Sequence, residues 1–217
     1  MRLQSAIFDM DGTLLDSMQM WRSLYLDVVL EFGKEPAPDF REQIKPLTLR
    51  QAAAYCQKTY DLPLSVEEVV ARFETRVDRF YRSEVQAKPG LKKFLSLLKM
   101  EGEWMYVATA TDRSLAEAAL RHAGIFDYFR GIVTVGEVGV GKESPEIYER
   151  AMRRLQSNKK DTVVFEDALH AIQTAKNAGF RVAGVYDASA DDDQEAIQAL
   201  SDYYIRSFEE MFETKTL

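Results

Sequence analysis

From Trp104 to Tyr186 short apolar runs alternate with stretches of helical length, and this alternation constrains the fold more than any other feature. The runs are "WMYVATA" (104–110), "FRGIVTV" (129–135), "DTVVFED" (161–167) and "FRVAGVY" (180–186). Between them lie predicted helices: one from Ser114, then "SPEIYERAMRRL" and "ALHAIQTAKNAG". Short strands alternating with helices of about 10–15 residues indicate βαβ units and a parallel sheet. Residues 187–200 add one more helix with Asp191-Asp192-Asp193 as its solvated start, and "DYYIRS" (202–207) reads as a last short strand.

A first strand precedes this region. Ala6-Ile7-Phe8 is apolar, but residues 16–86 contain no further strand candidate. Trp21, Leu24, Tyr25, Val28, Val29 and Phe32 recur at helical spacing, and Gly33 with "KEPAPD" ends that helix. Thr48 caps a second helix over Leu49–Tyr60, and Ser65 with Glu67 and Glu68 opens a third that reaches about Val85. Pro89 starts a helix that "EGE" closes. The predicted organisation is an α/β core of residues 1–15 and 88–217, with an all-helical module of residues 16–87 inserted after strand one.

Composition narrows the function. Hydrophobic residues make up 46% of the 217, enough for a packed core. The balance of 28 basic against 35 acidic side chains argues against general binding to nucleic acid or an anionic membrane. No run approaches the roughly 20 apolar residues that span a bilayer, and the first residues lack the apolar stretch of a signal peptide. Cys56 is the only cysteine, which excludes an internal disulfide and marks a small buried residue. A cytoplasmic monomer is the resulting expectation.

Ligands of parallel α/β sheets bind beyond the carboxyl ends of the strands. The polar residues that follow the runs are Asp9, Asp11 and Thr13, then Thr109 and Thr111, then Lys142, then Glu166 and Asp167. Clustered carboxylates with oxygen donors alone suit a hard cation such as Mg²⁺. A lysine and a hydroxyl nearby suit a dianionic phosphate. Asp9 and Asp11 leave their strand on the same face, so one can attack phosphorus while the other handles the proton.

Four stretches match one family in order and spacing: "DMDGTLLDS" (9–17), "VATAT" (107–111), "GKESPEIY" (141–148) and "VVFED" (163–167) continuing to "AKNAG" (175–179). The chain resembles the haloacid dehalogenase superfamily, in its phosphatase and β-phosphoglucomutase-like branch with a helical cap. That resemblance implies a Rossmann-like core and a Mg²⁺-dependent phosphomonoesterase of small phosphorylated metabolites. It implies that Asp9 is the nucleophile and a metal ligand, and that Asp11 is the acid/base with its carbonyl on the metal. Thr109 and the N–H of Ala110 would hold the phosphoryl group, with Gly12 turning the chain beneath it and Thr13 bonding within that turn. Lys142 would neutralise charge, and Asp167 would ligate Mg²⁺ with Glu166 beside it, directly or through water. The cap would close over the site on hinges near residues 15–17 and 86–89.

Asp11 favours transfer from an ester oxygen over dehalogenation or phosphonate cleavage. Sugar-phosphate mutases of the branch carry a histidine and an arginine where this chain has Trp21 and Leu49, which favours hydrolysis; a mutase or a phosphometabolite-binding protein is the alternative. The chain also departs from the family pattern after Lys142, where Glu143-Ser144 precede Pro145. Outside the motifs, His122 reads as a surface or capping residue, and His170 as an ordinary residue of its helix in preference to one facing the site entrance. Met18, Met20 and Trp21 read as packing or pocket wall, and Lys45 and Arg50 as candidates for substrate contact.

Overall fold

The computed structural model describes residues 4–44 and 47–210, and the chain divides into two compact units, Met18–Glu84 and the remainder, Met1–Ser17 with Val85–Leu217. Among the described residues no helix is long and apolar enough to cross a membrane.

The smaller unit is helical: α1 (Met18–Glu31), α2 (Phe40–Ile44), α3 (Leu49–Thr59) and α4 (Val66–Ser83). Local chemistry sets two of its starts. Thr48 and Ser65 each accept from the backbone N–H three residues on, and Gln51 and Glu68 reciprocate, so both helices begin on a complete capping box. Leu24, Val28 and Val29 of α1 are buried in this unit, as are Val69, Phe73 and Val77 of α4. The five-residue α2 was not anticipated; it is too short for periodicity to reveal.

The larger unit carries a six-stranded sheet: β1 (Ser5–Phe8), β2 (Trp104–Thr109), β3 (Ile132–Thr134), β4 (Thr162–Glu166), β5 (Arg181–Val185) and β6 (Tyr203–Ile205). Every pairing is parallel, in the order β3-β2-β1-β4-β5-β6. The expected Rossmann-like α/β arrangement is therefore present. The central strands β1 and β4 are buried at every residue, as apolar runs covered on both faces must be. Crossovers run through α5 (Leu91–Met100), α6 (Arg113–His122), α7 (Val135–Val138), α8 (Glu146–Arg154), α9 (Leu169–Asn177) and α10 (Gln194–Leu200). Ile7, Val133, Val164 and Val182 from the sheet pack in one buried cluster with Ile147, Tyr148, Ile172 and Phe180.

Two local expectations are corrected. "FRGIVTV" is a strand only to Thr134; Thr134 and Glu137 then form a capping box that starts α7, and Gly139 closes it at φ +83°. The acidic run 191–193 lies in a 3₁₀ turn ahead of α10 rather than in its first turn. Leu15 pairs with Ala87, Asp16 N–H donates to Gln86 O and Lys88 N–H to Leu14 O, so the larger unit extends to Ser17 and resumes at Val85.

Candidate active site

Strand register builds the site. Phe8 stands level with Val107 of β2 and with Phe165 of β4. Asp9, Thr109 and Asp167 therefore leave the sheet at one edge, where strand order reverses beside β1. Asp9 N–H donates to Phe165 O at 2.9 Å, which extends the ladder one step past β1. Met10 turns fully into the core, and Gly12 takes φ +86°, a conformation that side chains resist.

Four charged groups meet there. Lys142 donates to Asp9 Oδ1 and to Glu166 Oε1, while Thr13 Oγ1 donates to Asp167 Oδ1 at 3.0 Å. Thr13 thus bonds across to β4's end rather than within its own turn. Glu166 Oε1 also accepts from Tyr148 Oη at 2.9 Å, and its Oε2 accepts from the N–H groups of Asp167 and Ala168. Asp9, Glu166 and Asp167 are buried and offer ligand oxygens within 4.8 Å of one another. Asp9 Oδ2 is buried and has no hydrogen-bond partner among the described residues.

That arrangement fits a cation. A buried carboxylate oxygen without a donor is costly, and three carboxylates around one lysine leave net negative charge in a desolvated space. Burial pushes the Asp9 carboxyl up to about 7, against the pull of Lys142 and with a further push from Glu166 and Asp11. Burial, with Asp9 and Glu166 adding to it, raises Asp167 as well. Burial would discharge Lys142, but Asp9 and Glu166 outweigh it and hold the ammonium well above its ordinary value. The donors are all oxygen, the set preferred by a hard divalent ion.

Asp11 stands beside this cluster. Its carboxylate accepts from Ser17 Oγ on one oxygen and from Thr111 Oγ1 on the other, each at 2.7 Å. Thr111 N–H in turn donates to Thr109 Oγ1 at 3.0 Å, which links the acid/base candidate to the strand-end threonine. Ala110 is exposed in the turn between β2 and α6.

The other candidates lie each in its own unit. His122 and His170 are exposed on α6 and α9. Trp21 Nε1 donates to Tyr81 Oη at 3.0 Å inside the helical unit, where Met20 is buried and Met18 half-buried. Arg50 is an exposed partner of Glu67. Lys45 lies outside the described residues. Cys56 is buried, and burial pushes its thiol up to about 12, as expected for a packing residue. Ser17 and Tyr148 were missed as partners of Asp11 and Glu166. Both fall inside quoted motifs, yet nothing in the sequence shows which carboxylate a hydroxyl meets.

Comparison with known proteins agrees with this fold. The haloacid dehalogenase-like hydrolase family matches residues 6–185. The phosphorylated carbohydrates phosphatase of Thermotoga maritima is 29% identical over 184 residues, 84% of this chain and 85% of that protein. The pyrophosphatase PpaX of Halalkalibacterium halodurans is 28% identical over 215 residues, covering 98% and 97% of the two chains. A solved T. maritima structure, provisionally named a β-phosphoglucomutase, superposes with a TM-score of 0.84 at 26% identity over 97% of each chain. CbbY from Rhodobacter sphaeroides, in complex with phosphate, shares the fold with a TM-score of 0.75 at 24% identity over 97% and 96%.

Proposed function

The chain belongs to the haloacid dehalogenase-like hydrolase family, and from that premise we propose that it is a Mg²⁺-dependent phosphatase of a small phosphorylated metabolite, acting through an aspartyl-phosphate on Asp9. The observation that carries the reading is the split environment of Asp9: Lys142 holds one carboxylate oxygen, and the other is buried with no donor among the described residues. Asp9, Asp167 and the backbone carbonyl of Asp11 would hold the Mg²⁺, with Glu166 beside them. When bound, the cation supplies positive charge against the clustered carboxylates and the incoming phosphate.

The chain's own groups account for each bond. An Asp9 carboxylate oxygen bonds to phosphorus as the bond from phosphorus to the ester oxygen breaks. Protonated Asp11 gives its proton to that leaving oxygen. Asp11, now a carboxylate, takes a proton from a water whose oxygen bonds to the same phosphorus, and the bond from phosphorus to Asp9 breaks. Inorganic phosphate leaves, Asp9 is again a carboxylate and Asp11 is again protonated. Ser17 and Thr111 aim the Asp11 carboxyl, while Thr109 and the Ala110 N–H receive the transferring group. Lys142 pulls Asp9 toward its ionised form against the effect of burial and balances charge on the phosphoryl oxygens.

Relatives named for phosphorylated carbohydrates and for pyrophosphate support a small phosphorylated substrate. The test is phosphate release from p-nitrophenyl phosphate and a panel of sugar phosphates, nucleoside monophosphates and phosphorylated glycolytic acids. Release with Mg²⁺ that stops with EDTA is expected. Tight binding without turnover would make the protein a phosphometabolite-binding protein. Conversion of glucose 1-phosphate to glucose 6-phosphate in the presence of a bisphosphate would make it a mutase.

A further inference from the structure

We infer that Tyr148 is a positioning residue of the catalytic centre: its buried hydroxyl fixes the Glu166 carboxylate, which in turn holds the loop-borne Lys142 on Asp9. The inference rests on the phosphatase reading for its kinetic consequence, but its geometry stands by itself.

Tyr148 is fully buried in α8, and its ring packs edge-on against Phe180 with centroids 6.3 Å apart. Its neighbours in that cluster include Ile147, Ala151, Val164 and Ile172, all apolar. For packing alone a phenylalanine would serve, because a hydroxyl taken into such surroundings costs free energy unless it finds an acceptor. The hydroxyl donates to Glu166 Oε1 at 2.9 Å.

Glu166 is the acceptor that most needs fixing. A carboxylate offers about four lone-pair positions. Here the chain fills four: Asp167 N–H and Ala168 N–H on Oε2, and Tyr148 and Lys142 on Oε1. Three of those donors sit on β4's end, its following turn and α8, all regular or anchored backbone. Lys142 does not; it lies in the stretch between α7 and α8, after Gly139 at φ +83° and beside Gly141. A lysine on such a stretch takes its position from the groups it binds. Glu166, held on both oxygens by fixed donors, is the rigid half of that grip, and Asp9 is the half that reacts. With its lone pairs engaged by the chain, Glu166 serves as counter-ion to Lys142.

Removing the hydroxyl leaves the ring in place, so Tyr148→Phe isolates this effect. The expected loss in kcat on p-nitrophenyl phosphate is about 10-fold or more, with a smaller change in KM, as for partners of first-contact groups elsewhere. A double-mutant cycle with Glu166→Gln separates positioning from general destabilisation. If Tyr148 acts through Glu166, the double variant loses no more than Glu166→Gln alone. Multiplicative losses, or a Tyr148→Phe enzyme within about twofold of the parent, would overturn the inference. A second measurement needs neither turnover nor metal: the ¹⁵N-lysine ammonium signal of metal-free protein, assigned by its absence in Lys142→Met. That signal should shift or broaden in Tyr148→Phe; an unchanged signal refutes the linkage even if no phosphatase activity is ever found. Conversely, a shifted signal in a protein without turnover would sink the phosphatase reading and leave the positioning intact.

Discussion

The two compact units use the same kinds of charged side chain in opposite ways. In the helical unit, Arg50–Glu67, Arg72–Glu31 and Arg82–Asp78 pair near the surface, with side chains 40% or more exposed. A groove of about 510 Å³ in that unit has Asp27 and Glu31 on α1 facing Arg72, Arg76 and Arg79 on α4, and Arg76 and Arg79 already meet Glu84. Such pairs lie in water, where each contributes little. At the sheet edge, Asp9, Glu166 and Asp167 surround Lys142 with side chains at most 9% exposed, and charge does not balance. Desolvated and unbalanced charge is the difference between a solvated face and a site that demands a ligand.

Substitutions test that contrast from its strongest point outward. Asp9→Asn keeps the shape but removes the nucleophile, and kcat on p-nitrophenyl phosphate should fall by at least about 10⁴-fold. Retained turnover would mean that the buried cluster is not the chemical centre. Asp11→Asn should cost about 10²–10⁴-fold in kcat, the usual range for general acid–base work. Its deficit should be smaller on p-nitrophenyl phosphate than on an alkyl phosphate, because p-nitrophenolate leaves without a proton; equal deficits would remove Asp11 from the acid role.

An intermediate case joins the two extremes. Lys88 Nζ donates to Asp187 Oδ2 at 2.9 Å and to Tyr186 O at 2.7 Å, in a pair that is mostly buried but fully matched. Burial pushes Asp187 up, but hydrogen bonds from Ser189 and Lys88 prevail and leave its carboxyl below the ordinary value. A folded value below the unfolded one stabilises the protein above about pH 3.9, and that stabilisation fades as pH falls through the folded value. Asp187→Asn should therefore lower stability at pH 7 by about 1–3 kcal/mol, read as a urea midpoint, with the gap from the parent closing below about pH 4. A gap that persists at low pH would mean that the loss is not electrostatic.

The smallest effects belong to the helical unit. Ser65→Ala breaks a capping box and should cost about 1 kcal/mol in that unit. Arg50→Ala should change stability by less than about 0.5 kcal/mol and leave kcat/KM on p-nitrophenyl phosphate unchanged. A clear fall in kcat/KM would instead identify Arg50 as a substrate contact and blur the contrast.

What the sequence disclosed follows the same divide between local and distant causes. Helix starts at Thr48 and Ser65 were legible because a capping box spans four residues. The signal for α7, Thr134-Val-Gly-Glu137, was equally local, but it began inside an apolar run that read as strand. Asp9, Glu166, Asp167 and Lys142 were legible as a group because parallel strands deliver their following residues to one edge. The hydroxyl partners were not: Ser17 reaches Asp11 from six residues away and Tyr148 reaches Glu166 from 18. Those contacts depend on helix rotation and rotamer, which spacing alone does not fix.

The central claim is that Asp9 carries the phosphoryl group. Asp11→Asn protein, mixed with Mg²⁺ and p-nitrophenyl phosphate, should still be phosphorylated but should lose the phosphoryl group slowly, for want of a base. Acid quenching followed by peptide mass spectrometry reads this directly. One phosphoryl group on Asp9, absent from the Asp9→Asn, Asp11→Asn double variant, is the expected result. An unmodified Asp9, or a phosphoryl group on any other residue, would contradict the account.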